Sequence, residues 1–177
     1  PSAMGRMGTS QAIGPAFTGR HPEESVTAPL LQKWLPRFGL RLPNGFEWEV
    51  AARAESSTPW GVGDRPESLQ GHANVADAAL ARVTQDDIAT QRSIDDGWLS
   101  HAPVGSFRAN AFGFHDMLGN VAEITTAIGS SGDTVFLARG GSYMVTPDQC
   151  RVTSWRWVAG ALTTSETGVR VCRSLRP

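Results

Sequence analysis

The residues best able to do chemistry crowd into one stretch, Ala111-Phe-Gly-Phe-His-Asp-Met-Leu-Gly-Asn-Val-Ala-Glu123. Phe112, Phe114, Met117, Leu118 and Val121 want burial, while Gly113, Gly119 and Asn120 offer the positive-φ conformations of a tight turn. Such a mixture suits neither a helix nor a simple strand. It reads as a compact loop with Asp116 and Glu123 at either end and backbone carbonyls turned between them. Buried carboxylates are rarely left bare, and carboxylate plus carbonyl oxygen is the ligand set that Ca²⁺ prefers. A polar turn pinned by two exposed acids is the plainer alternative.

Other reactive residues are more dispersed. His21, His72, His101 and His115 are scattered, and satisfied or exposed histidines are expected. Ser142 follows two glycines and has the look of a nucleophile, yet no base lies near it in sequence, so a sheet-turn residue is the favoured reading. Cys150 and Cys172 permit at most one internal disulfide and do not fix the compartment. From Tyr143 to Thr167, Met144, Val145, Gln149, Trp155, Trp157, Val158 and Leu162 mix large apolar with small polar residues and follow no period. An exposed Trp is a strong interface anchor. The segment is therefore either core or a binding face, and one of Trp155 and Trp157 is expected inside, the other outside.

The elements that must position these residues follow from length and pattern. At 177 residues the chain fits one domain with a substantial core, here taken as 21–177 behind a flexible or condensed segment 1–20. A net charge of −1 gives no electrostatic case for a nucleic-acid or acidic-membrane partner. No apolar run reaches transmembrane length and no signal peptide is evident, so a soluble chain is expected. Six Trp, 19 Gly and 11 Pro point to a loop-rich fold. Thr27 can cap a helix whose Leu30, Leu31, Trp34 and Leu35 form one stripe, ended by Pro36 and Gly39. Asn44 with Glu47 forms a capping box for a second helix, with Phe46, Val50, Ala51 and Ala54 along one face. Residues 58–106, including Asp86-Asp87, read as a long loop that needs something to hold it. Thr134–Ala138 reads as a buried strand and Gly168–Cys172 as a closing one.

Several segments recur together in a known order: Arg41-Leu-Pro with Glu47-Trp-Glu-Val-Ala-Ala-Arg53, Pro59-Trp-Gly61, Ala73-Asn-Val75, Ala102-Pro-Val-Gly-Ser-Phe107, Asn110 through Glu123, Arg139-Gly-Gly-Ser-Tyr143, Cys150-Arg151 and Gly168-Val-Arg170. The set resembles the formylglycine-generating enzyme family, also called the sulfatase-modifying-factor domain, over roughly residues 21–172. That resemblance implies an α+β, C-type-lectin-like fold: two helices around a small antiparallel sheet, with extensive ordered loops. It implies a shortened form or a fragment, because the family's N-terminal part is missing or condensed. It also implies two structural Ca²⁺ sites. One would use the side chains of Asn74 and Asp96 with the carbonyls of Val75 and Trp98. The other would use Asp116 and Glu123 with the carbonyls of Gly119 and Val121.

The implied catalysis runs the other way. The family's oxidase chemistry uses two cysteines five residues apart that bind copper as thiolates, a soft-ligand preference of Cu(I). Val145 stands at the first position and only Cys150 remains, so copper is not expected; the family aromatics after Gly-Asn are replaced by Ala122 and Ile124. In the same fold, variable proteins of diversity-generating retroelements place their diversified residues after a matching Arg-Gly-Gly-Ser motif. This frame implies a binding face over 143–162 built from Tyr143, Met144, Thr146, Gln149, Ser154, Trp155 and Trp157, for a protein or small-molecule ligand, in a chain of bacterial, archaeal or phage origin. The alternative is an oxidoreductase with an altered metal site on Cys150, with Ser142 in the active site and a histidine as further ligand.

Overall fold

The computed structural model describes residues 19–84, 92–159 and 163–175. Most of the expected flexible segment 1–20, the Asp86-Asp87 pair and Leu162 lie outside the described residues.

Helix α1 (Ala28–Trp34) begins where Thr27 Oγ1 accepts from the Leu30 amide at 3.4 Å. A 3₁₀ turn over Leu35–Phe38 follows and is closed by Gly39 at φ 67°. Only half the expected stripe is buried. Leu31 and Leu35 pack inward, whereas Leu30 and Trp34 are exposed and Trp34 lies under the Arg37 guanidinium. Helix α2 (Gly45–Arg53) starts with the reciprocal capping box, Asn44 and Glu47 each accepting from the other's amide at 2.9 Å. Its buried face agrees with the expected one only in part: Ala54 is buried and Ala51 packs on the core, but Trp48 and Ala52 are the buried helix residues, while Phe46 and Val50 face solvent. Trp48 decides this. Once its indole is inside, residues two positions to either side fall about 200° round the helix and point out.

Residues 58–106 are not all loop. A 3₁₀ turn spans Pro66–Leu69 and helix α3 spans Ala78–Thr84. Asp77 starts α3, its Oδ1 accepting from Ala79 at 2.8 Å and Leu80 at 3.3 Å. The described residues thus hold three α-helices where two were expected.

The sheet comprises β1 (Ala122–Ile128), β2 (Thr134–Arg139), β3 (Trp155–Trp157) and β4 (Thr167–Gly168), in the order β3-β2-β1-β4. β1 and β2 form an antiparallel hairpin from Glu123↔Arg139 to Ile128↔Thr134, and β3 extends it antiparallel at one edge. At the other edge β4 runs parallel to β1, so the sheet is mixed rather than purely antiparallel. The closing strand expected over Gly168–Cys172 is shorter. Of that range only Gly168 belongs to β4, and further on there is a bridge in which Cys172 and Arg41 exchange amide bonds of 2.9 Å.

Register sorts the side chains by face. Glu123, Arg139 and Trp155 share one face, against which Trp48 of α2 packs. Ile124, Ala138 and Arg156 share the other. The larger core joins Trp48, Trp60, Leu69, Ile94, Met117, Leu118, Cys150 and Val152; the smaller joins Ala28, Leu42 and Ile124 beneath α1. Within 111–123, Gly113, Asp116, Gly119 and Asn120 all have positive φ, and Met117, Leu118 and Val121 are buried. Phe112 and Phe114, expected inside, are exposed, because the turn is pinned by Asn110 instead: its Oδ1 accepts from both their amides and its Nδ2 donates to the Ala51 carbonyl. No helix among the described residues is long and apolar enough to cross a membrane.

Candidate functional site

The end of β2 and the segment after it enclose a cleft of about 400 Å³. Ala122 and Ala138 are two neighbouring strand residues with small side chains, and with Gly141 and Ser142 they border it; Trp155, Gln149, Ser154, Asp148 and Arg156 also line it. The segment's path is set by backbone bonds to the scaffold. Tyr143 donates to the Asn120 carbonyl at 3.0 Å, Ala76 donates to Val145 at 3.0 Å, and Val152 donates to Pro59 at 2.9 Å. Trp60 Nε1 adds a bond to the Pro147 carbonyl at 2.8 Å, beneath the stacked Arg151 guanidinium.

Of the residues expected on a binding face, Gln149, Ser154 and Trp155 line the cleft. Trp157 lies beside it, edge-on to Trp155 with ring centroids 5.5 Å apart. Met144 is exposed, Tyr143 is half-buried with its hydroxyl at Ser165 Oγ, and Thr146 closes a small capping box with Gln149. The expected split between the two indoles does not occur: Trp155 is 51% and Trp157 63% exposed. The reason is that β3 is a three-residue strand at the edge of the sheet. Asp148, Arg156, Ala122 and Ala138 were missed.

Cys150 and Cys172 are both free thiols. Cys150 is fully buried, and burial pushes its thiol up to about 12, against the opposing pull of the Gly119 and Ser142 amides. Val145 packs against the same core, and a side chain at Gly141 would collide with both. Cys172 is half-buried and donates to the Arg41 carbonyl. Ser142 is buried; its Oγ donates to Glu166 Oε2 at 2.9 Å and accepts from the Met144 amide. Its carboxylate partner was invisible in sequence because it lies 24 residues away.

The two expected calcium sets differ in kind. At the first, Asp96 Oδ2 accepts from Val75 at 2.9 Å and Oδ1 from Trp98 at 2.8 Å, which draws both residues whose carbonyls were expected as ligands onto this carboxylate. Asp77, fully buried, accepts from the Asp96 amide at 2.5 Å. Burial pushes Asp96 up to about 7, and the like charge of Asp77 adds to this. Asn74 donates to Ser100 and Asn120, but its buried Oδ1 has no hydrogen-bond partner among the described residues. An orphaned acceptor near one buried and one half-buried acid, neither of them paired with a guanidinium at hydrogen-bond distance among the described residues, fits a hard cation with oxygen ligands.

The second set does not fit one. Glu123 is buried and receives Arg170 through Nε at 3.0 and 2.9 Å and Nη2 at 2.7 Å, with Trp48 Nε1 at 2.7 Å. Burial raises its carboxyl's affinity for a proton, and Arg170 and Trp48 oppose that. Asp116 accepts from the Gly105 and Phe107 amides at 2.5 and 3.4 Å. A cation here would meet a guanidinium where open oxygens are needed. Gly119 and Val121 are buried between the two acids in sequence.

Two of the scattered histidines do meet. His21 and His101 place their Nδ1 atoms 3.0 Å apart, and His101 is buried with its ring edge toward Tyr143. Burial, then the His21 charge, lowers the basicity of His101.

Comparison with known proteins agrees with the motifs. A formylglycine-generating enzyme of Mycobacterium tuberculosis is 34% identical over 108 residues, covering 60% of this chain and 33% of that protein. The mouse formylglycine-generating enzyme is 29% identical over 129 residues, covering 63% and 32%. The chain therefore spans about a third of the length of the curated relatives it matches. Among solved structures, PvdO from Pseudomonas aeruginosa aligns with a TM-score of 0.71 at 24% identity over 88% of this chain and 63% of that one. Treponema denticola variable protein 1 aligns with a TM-score of 0.57 at 23% identity, covering 76% and 48%. At such identities these two speak for the fold alone. The family model of the sulfatase-modifying factor enzyme 1-like domain matches residues 10–175, and the chain belongs to that family, with its α+β, C-type-lectin-like fold.

Proposed function

We propose that this chain is a calcium-stabilised binding domain of the formylglycine-generating-enzyme type that takes a ligand in the cleft beside Trp155 and does not make formylglycine. One observation carries the reading. Val145 stands where the resemblance places a copper-binding cysteine, and the remaining thiol, Cys150, is sealed in the core with its proton firmly held. Thiolates, not thiols, ligate copper. A cleft of about 400 Å³ with small residues along one side and an exposed indole on the other is within the size range of small-molecule sites and also admits a protruding protein side chain. This arrangement suits a variable protein of a diversity-generating retroelement, whose binding residues ride on a fixed backbone.

Calcium on Asn74 Oδ1, Asp96 and the carbonyls of Val75 and Trp98 would add positive charge beside Asp77 and Asp96. The protein's own contribution is to hold those loops together around Asp96, whose two oxygens already gather the Val75 and Trp98 amides. The test of the catalytic half is direct. The chain, incubated with copper and a cysteine-containing sulfatase peptide, should leave the thiol intact by mass spectrometry. Conversion of the cysteine to an aldehyde overturns the proposal.

A further inference from the structure

A second cavity, of about 680 Å³, lies away from the cleft, between α1, the start of α2 and the β1–β2 hairpin. Its apolar lining is Leu31, Leu35, Leu42 and Leu137, with Phe46 and Ile128 at the mouth, 78% and 75% exposed; Gln32, Asn44 and Thr126 are polar neighbours. Two charged groups reach it: Arg41, already paired with Glu47 at 2.7 Å, and Arg139. The Arg139 side chain is only 11% exposed, and its Nε–H is buried with no hydrogen-bond partner among the described residues. Its Nη1 is engaged by Glu49 and the Val152 carbonyl, which leaves the Nε edge of the guanidinium without an acceptor.

Gly45, the first residue of α2, keeps that edge open. A Cβ there would stand 3.3 Å from Nε and 3.5 Å from Nη2 of Arg139. Local charge is also uneven, because Glu49 is shared between Arg53 at 2.9 Å and Arg139 at 3.3 Å, two guanidiniums on one carboxylate. The Nε/Nη2 edge of an arginine matches a carboxylate's two oxygens in a planar, bidentate pair. A buried donor left unsatisfied is costly, and an apolar cavity beside it rewards an apolar body.

We propose that this cavity binds a monocarboxylate with an apolar chain, its head on the Nε/Nη2 edge of Arg139 and its chain along Leu31, Leu35, Leu42 and Leu137. The site is independent of the Trp155 cleft and of the reading given to it.

The probes are decanoate and decan-1-ol, each titrated into the ¹⁵N-labelled full chain below its solubility limit. Decanoate should move the Arg139 Nε–H resonance downfield and perturb Leu31 and Leu137 saturably. Decan-1-ol, which has no carboxylate, should bind at least ~10-fold more weakly. Gly45→Val, which blocks the guanidinium edge, and Phe46→Glu, which puts a negative charge at the mouth, should each weaken decanoate by a similar factor. Equal binding of acid and alcohol, no binding of either, or full decanoate affinity in Gly45→Val overturns the proposal. Should Gly45→Val lose its folded spectrum, the alcohol comparison and Phe46→Glu decide, since Phe46 is solvent-exposed and its replacement leaves the core intact.

Discussion

Two pairs of acidic residues, Asp77 with the half-buried Asp96 and Asp116 with Glu123 at the start of β1, have opposite surroundings. Glu123 is met by a guanidinium and an indole N–H, and Asp116 by two backbone amides. The chain brings its own cation there. Around Asp96 the donors among the described residues are backbone amides, a second acid stands alongside, and Asn74 Oδ1 has no partner there. Charge compensation, not the number of acids, is therefore what distinguishes the two places. Sequence shows the acids in both places. Only the fold shows Arg170 arriving 47 residues later.

The largest effect should come from breaking the self-compensated pair. Glu123→Ala strands Arg170 and the Trp48 N–H, and removing one partner of such a buried pair costs about 3–5 kcal/mol. Urea unfolding measures it. A loss below about 1 kcal/mol would mean that Arg170 finds another partner and that Glu123 is open to a metal after all.

Next in size is the response to calcium. A ligand at 100 times its Kd stabilises by about 2.7 kcal/mol, or roughly 5–10 °C in a domain this long. Chelator should lower the Tm of the native chain by that order. The response should vanish in Asp96→Asn and persist in Glu123→Gln. A chelator shift that depends on Glu123 and not on Asp96 would invert the comparison.

The thiols repeat the contrast on a smaller scale. Burial holds the Cys150 proton to about pH 12, so on the order of 10⁻⁴ of it is thiolate at pH 8. Its alkylation in the folded chain should be negligible at pH 8 and rise tenfold per pH unit. Cys172, half-buried, should react first. Peptide mapping after iodoacetamide reads the order, and prior loss of Cys150 would show that its surroundings open.

Smallest of all are the indoles. Trp155→Ala and Trp157→Ala should each cost no more than about 0.5 kcal/mol, as exposed positions do. A calorimetric loss of several kcal/mol at either would place that ring in the core.

Short-range signals were the legible ones. The Thr27 cap, the Asn44–Glu47 box and the positive φ of Gly113, Gly119 and Asn120 each depend on residues within a few positions, and each is present. Strand β2 was readable from its apolar run. The burial of α2 was not, because Trp48 competes with Phe46 and Val50 for the inside and only the partners Glu123 and Arg139 settle the contest. Helix α3 hid behind an Asp cap in a segment read as loop. At the cleft, Gln149, Ser154 and Trp155 were legible as surface residues. Ala122 and Ala138 were not, because a cavity is formed by the atoms that are missing.

The bridge between Arg41 and Cys172 has a consequence in time as well as in space. Its two amide bonds close a span of 131 residues. On the ribosome, α1 and α2 emerge long before the strand edge that fastens the Arg41 connection between them. Long-range pairings of this sort carry a large loop-closure entropy and place a fold among the slower folders, on the millisecond-to-second scale. The Cys172 segment therefore acts as the latch, and α1 and α2 wait for it.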